Sequence, residues 1–96
     1  MSAEERARVK AVLARLSEQA PGHSVEVRVP PYAAVQIIEG PRHTRGTPSA
    51  VVELDAPTLL ALADGILRWD DAVRAGRVRA SGERSDLSAL FPVADR

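Results

Sequence analysis

The sequence contains no cysteine, one lysine, two histidines and only three aromatic side chains, Tyr32, Trp69 and Phe91. Without cysteine there is no disulfide, no thiolate nucleophile and no Cys-ligated zinc or iron-sulfur centre, and a reducing compartment is the expected setting. The scarcity of aromatics makes the core aliphatic, because 45% of the residues are nonetheless hydrophobic. A large cavity inside such a core would compete directly with folding. Net charge is also missing: thirteen basic and thirteen acidic residues cancel. The chain therefore lacks the long-range positive field that drives non-specific binding to nucleic acid or acidic membranes, and no nucleic-acid partner is expected. No apolar run approaches the ~20 residues needed to span a bilayer, and the N-terminus is charged from Glu4 onward. Both features predict a cytoplasmic protein without a transmembrane segment.

What is present fits one domain covering residues 1–96, since a chain of this size supports one modest core. Twelve of the thirteen basic residues are arginine, and alanine and valine abound, a codon signature of a high-GC bacterial genome. Ser2 and Glu5 form a capping-box pattern, after which Val9, Val12, Leu13, Leu16 and Ala20 recur at helical spacing. This amphipathic helix ends at Pro21-Gly22. Residues 24–29 alternate, with Val25, Val27 and Val29 on one face and Glu26 and Arg28 on the other, as a half-buried strand requires. A second run, Tyr32 to Glu39, is its expected antiparallel neighbour. Ala50 to Leu54 reads as a third strand, and Asp55 caps a helix with Pro57 in its first turn and Leu59, Leu60, Leu62 and Ala63 as its buried stripe.

Gly65 stops that helix, Ile66 and Leu67 are expected to pass through the core, and a short helix follows with Asp70 and Asp71 in its first turn. Gly76 ends it, residues 77–81 form a strand with arginines outward, and a last helix is predicted from about Ser85, carrying Leu87, Leu90 and Phe91. Between the second and third strands, residues 40–49 hold two glycines, two prolines and no apolar side chain, which makes them a loop. Within it Arg42, His43 and Arg45 form a grouping suited to a carboxylate or phosphate.

Catalytic chemistry has little to stand on. Asp70 and Asp71 are adjacent on a helix and point about 100° apart, so they cannot share a proton as facing carboxylates do, and they serve the helix dipole instead. His23 stands at a helix stop, where a cation is favourable. The two histidines lie twenty positions apart with no helical metal spacing, and neither a nucleophile elbow nor a phosphate-binding glycine cluster occurs. No catalytic residue, metal or cofactor is expected. Arg77 and Arg79, with Arg74 and Arg84 near in sequence, read as the charged outer face of an edge strand. Trp69 reads as a packing residue.

The segment Gly65-Ile-Leu-Arg-Trp-Asp-Asp-Ala-Val-Arg-Ala-Gly76-Arg-Val-Arg-Ala-Ser-Gly82, with the strand-to-helix entry Val52-Glu-Leu-Asp55 upstream, resembles the sterol carrier protein family. Glycines eleven and then six positions apart return two short elements to one sheet, each reversal using a left-handed residue. The resemblance implies an α+β fold: a small mixed or antiparallel sheet of four to five strands with helices packed over one face. It implies an apolar pocket for a sterol or fatty-acyl ligand, lined by Leu59, Leu62, Ala63, Ile66, Leu67, Val73, Val78, Leu87, Leu90 and Phe91, with Arg42, His43 and Arg45 at its polar mouth. Three departures imply a smaller pocket, open or collapsed. A polar loop replaces one strand, the last helix is polar, and Val73 stands where the family often has phenylalanine. The resemblance also admits a second function, a non-catalytic accessory module for a partner enzyme or a homodimer, because relatives of the fold occur as C-terminal domains of larger proteins such as mycothiol-dependent isomerases.

Overall fold

The computed structural model describes residues 2–31, 33–40 and 50–93. Helix α1 spans Ala3–Gln19 and starts as its capping pattern requires, with the Glu5 N–H donating to Ser2 Oγ at 2.9 Å. Its buried stripe is Val9, Leu13 and Leu16. Strand β1, Val25–Val29, follows and pairs antiparallel with β2, Ala33–Ile37, so that Val27 faces Val35. Strand β3, Ala50–Leu54, lies parallel to β1 on its other side, and β4, Val78–Gly82, closes the sheet antiparallel to β3. The order among the described residues is β2-β1-β3-β4, a four-stranded mixed sheet.

Alternation divides the sheet into two faces. Val25, Val27, Val29, Ile37, Val52 and Leu54 are buried on the inner one. The outer face carries Glu26, Arg28, Gln36, Glu53 and Arg79. There Arg28 Nε donates to Glu26 Oε2 at 2.7 Å, and this bond, with the charges of Glu26 and Glu53, raises the guanidinium pKa further. His23 meets this face too, its Nδ1 lying 3.2 Å from Gln36 Oε1. The arginines expected to form a charged edge each have an acid at hand, Arg77 through the charge of Asp55. Arg79 stands beside Glu53 in the β3–β4 register, Arg74 pairs with Asp71 at 3.1 Å and Arg84 with Glu83 at 3.8 Å.

Helix α2, Ala56–Ala63, is capped by Asp55, whose Oδ1 accepts the Thr58 N–H at 2.9 Å. Six of its residues are buried, Leu59, Leu60, Leu62 and Ala63 among them, so it is apolar nearly all round. Helix α3, Trp69–Arg74, buries Trp69 and Ala72. Gly65 and Gly76, which end these two helices, take φ of +79° and +75°.

Two expectations are corrected. Ile66 does not pass through the core; it is 80% exposed. The N–H groups of Ile66 and Leu67 both donate to the Ala61 carbonyl, at 3.0 and 3.2 Å. So sharp a reversal lets only one of the two side chains turn inward, and Leu67 packs against the core. The predicted last helix is instead a single 3-10 turn, Ser88–Leu90. Asp86 Oδ1 takes the Ser88 N–H at 3.0 Å, a side-chain bond that competes with helix extension, and Pro92 stops the chain soon after.

Candidate functional site

The inner face of the sheet is not covered to its edge. Ala80 on β4 pairs with Val52 on β3, and paired residues share a face. Val52 is fully buried, whereas Ala80 is exposed. The apolar layer that seals β1 and β3 therefore reaches β4 only at its start, where Val78 is buried, and stops before Ala80. Above Ala80 runs α3, and between them lies a groove of about 470 Å³ lined by Trp69, Asp70, Val73, Arg74, Ala80, Ser85 and Asp86. Val73, on the α3 wall, is 42% exposed. Trp69 is only 7% exposed and stacks on Phe91, with ring centroids 5.9 Å apart and planes 10° from parallel. The indole is thus a fixed wall, held by the C-terminal segment.

Trp69 also walls a second, smaller groove of about 270 Å³, where it is joined by Leu67, Ser88, Phe91 and Pro92. A third, of about 740 Å³, lies between α1 and the end of α2, with Ala11, Val12, Ala63 and Val93 as its apolar lining. The Arg8–Asp64 ion pair, 3.0 Å long and half exposed on both sides, stands on its rim.

The residues expected to line one pocket are distributed among these places. Leu59, Leu62, Val78 and Leu87 are packed in the core cluster, against which Leu67, Leu90 and Phe91 lie half-buried. Val73 faces the groove over Ala80, Leu67 and Phe91 face the smaller groove, and Ala63 faces the one beside α1. Ile66 stands in solvent. Arg42, His43 and Arg45 lie outside the described residues. Ala80, Ser85 and Asp86 were not expected at a site. For Ala80 the signal was there, since strand alternation puts it on the same face as Val78; for Ser85 and Asp86 nothing local points to a groove.

The charge at the groove over Ala80 is specific. Asp70 and Asp86 sit on its rim, and Arg74, the rim's cation, is held by Asp71. The Ser88 backbone N–H, with the Ser88 hydroxyl adding, keeps the Asp86 carboxyl below its ordinary value of 3.8, so it is ionised at neutral pH. Among the described residues no group of three His, Cys, Asp or Glu side chains comes together to hold a metal, and no helix is long and apolar enough to cross a membrane.

No curated protein matches this chain. Among solved structures, the crystal structure of Sterol Carrier Protein 2 Like 2 from Aedes aegypti is similar at a TM-score of 0.54 and 16% identity, covering 93% of this chain and 98% of that one. The solution structure of palmitated SCP2L2 from the same organism is similar at a TM-score of 0.45 and 21% identity, covering 93% and 89%. The first likeness shows a shared fold. The family described as bacterial SCP ortholog matches residues 2–93, nearly the whole length, and the chain belongs to that family.

Proposed function

We propose that this chain is a small lipid-binding carrier that takes the apolar tail of its ligand in the groove between α3 and β4. The observation that carries the reading is the exposure of Ala80 on the inner face of the sheet, beside buried Val52 and Val78. Apolar surface left open beside Val73 and Trp69 is surface that an aliphatic chain can cover. The groove, at about 470 Å³, falls within the ~300–1,000 Å³ of ordinary ligand clefts. Val78, two residues before Ala80 on the same face of β4, belongs to the core cluster with Leu59, Leu62 and Leu87, which form the apolar interior behind the reading. Membership of the bacterial SCP ortholog family supports it.

Trp69 is the chain's single tryptophan and walls both this groove and the smaller one beside Phe91, so its fluorescence reports on the two, and a variant at Ala80, which lines only the first, tells them apart. Titration with monopalmitoylglycerol, an uncharged single-chain lipid, is expected to change Trp69 emission saturably. Ala80→Phe, which fills the groove, is expected to remove that response while the protein keeps its fold by circular dichroism. Saturable binding that is unchanged in Ala80→Phe places the ligand elsewhere and ends the proposal, as does a wild type with no response.

A second reading, a non-catalytic accessory module for a partner protein or for self-association, is favoured by the tight packing of Leu59, Leu62, Val78 and Leu87, residues expected to line a pocket. Native mass spectrometry separates the two, since a carrier shows a lipid adduct and a module a protein one.

A further inference from the structure

The rim of the groove over Ala80 is charged, and the inference drawn from its charges deepens the carrier reading on which it rests. The rim carries three charged residues: Asp70 at the start of α3, Arg74 at its end and Asp86 on the opposite wall. The arginine has an acid of its own, since its guanidinium donates to Asp71 Oδ1 at 3.1 Å in an exposed pair, and Asp71 is not among the groove's lining. Pairing Arg74 with Asp71 leaves Asp70 and Asp86 as the net charge, from both sides of the cleft. Of the next charges along the chain, Glu83 and Arg84 pair with each other at 3.8 Å and add nothing net, and Arg68 lines the smaller groove rather than this one. We infer that the groove selects a single-chain amphiphile with a cationic head, the tail lying over Ala80 and the ammonium between Asp70 and Asp86.

The two carboxylates differ in how firmly they are placed. Asp86 is fixed by the Ser88 N–H at 3.0 Å, which leaves Oδ2 and further lone pairs for a ligand. Asp70 is exposed in the first turn of α3. A cation between them gains two attractions in high dielectric, whereas a carboxylate head meets two repulsions. Both effects are of Coulombic size for exposed groups and are screened by salt.

Dodecylamine, dodecanol and dodecanoate share one tail and differ only in head charge. Titrated below their aggregation concentrations at neutral pH and low ionic strength, with Trp69 emission as the readout, they are expected to bind in that order of affinity. Amine and carboxylate should be separated by about tenfold, and the gap should shrink several-fold in molar salt. In Asp70→Asn/Asp86→Asn the amine is expected to fall to the affinity of the alcohol, while the alcohol is unchanged. The amide that replaces the Asp86 carboxylate keeps an oxygen for the Ser88 N–H, so the wall stays in place. Dodecanoate binding as tightly as dodecylamine overturns the inference, and dodecanoate binding more tightly assigns the head group to Arg74. A charge preference that survives the double variant also overturns it. In either result the alcohol still binds, and the groove remains the tail site. Failure of all three ligands to bind overturns the groove reading itself, and the inference with it.

Discussion

At Gly22 one hydrogen atom decides whether α1 can turn into β1. Its φ is +148°, and a Cβ there would fall 2.1 Å from the Ile38 carbonyl carbon. The close approach is enforced on both sides. Ile38 N–H donates to the Ala20 carbonyl at 2.7 Å, while the Ser24 N–H and hydroxyl both donate to the Ile38 carbonyl, at 3.1 and 2.6 Å. Ile38 itself sits at φ +70°, a left-handed position that a β-branched residue adopts at a cost. The contact is therefore over-determined and cannot relax to admit a methyl group. Gly22→Ala is expected to destabilise the fold by about 3 kcal/mol or more, read as a lowered urea midpoint. The glycine was legible in the sequence as a helix stop. Its close packing against Ile38, sixteen residues on, was not, because only tertiary structure brings the two segments together.

At the scale of elements, the capped start of α2 was readable from Asp55, Pro57 and Thr58, and the structure places each as local chemistry demands. The Thr58 hydroxyl and then its N–H lower the Asp55 pKa, with Arg77 adding and partial burial opposing. The hydroxyl is fully buried without a partner in hydrogen-bond geometry, so the N–H at 2.9 Å is the defined contact and the hydroxyl acts as a nearby dipole. A folded pKa below the ordinary 3.8 means that Asp55 stabilises the fold above that value, and the contribution fades as pH falls through the folded pKa. Asp55→Ala is expected to cost about 1 kcal/mol at neutral pH. Asp55→Asn should keep most of the cap and flatten the acid branch of the stability profile below about pH 4, as followed by thermal melts. The joint after α2 behaves oppositely. Its apolar pair Ile66-Leu67 reads as core, but the two hydrogen bonds that their N–H groups donate to the Ala61 carbonyl turn Ile66 out. Ile66→Ser is accordingly expected to leave the melting temperature unchanged, whereas Leu62→Ala should cost about 2–5 kcal/mol.

Across the whole molecule the C-terminal segment is tied to the groove wall. Phe91 stacks on Trp69, twenty-two positions earlier, and the Val93 N–H donates to the Ala63 carbonyl at 3.0 Å. Phe91→Ala removes both the stack and the half-buried ring. The expected loss is about 2 kcal/mol, together with a red shift of Trp69 emission as the indole meets water. A melting temperature and an emission maximum both equal to wild type would show that the segment does not support the wall.

The sequence by itself determined the elements and their order as far as β4, because helical and strand periods, capping residues and left-handed glycines act over a few neighbours. It also determined the family likeness, through three glycines whose spacing fixes how the chain reverses between Gly65 and Gly82. Tertiary structure alone decided where the candidate site lies. Whether Ala80 is sealed depends on how far the covering layer extends along the edge strand, and beside α3, six residues long, Val78 is covered while Ala80 is left open. The rim charge was decided the same way. Asp70 and Asp86 are sixteen positions apart, and a groove between a helix and the chain leaving β4 is what makes them neighbours of one ligand.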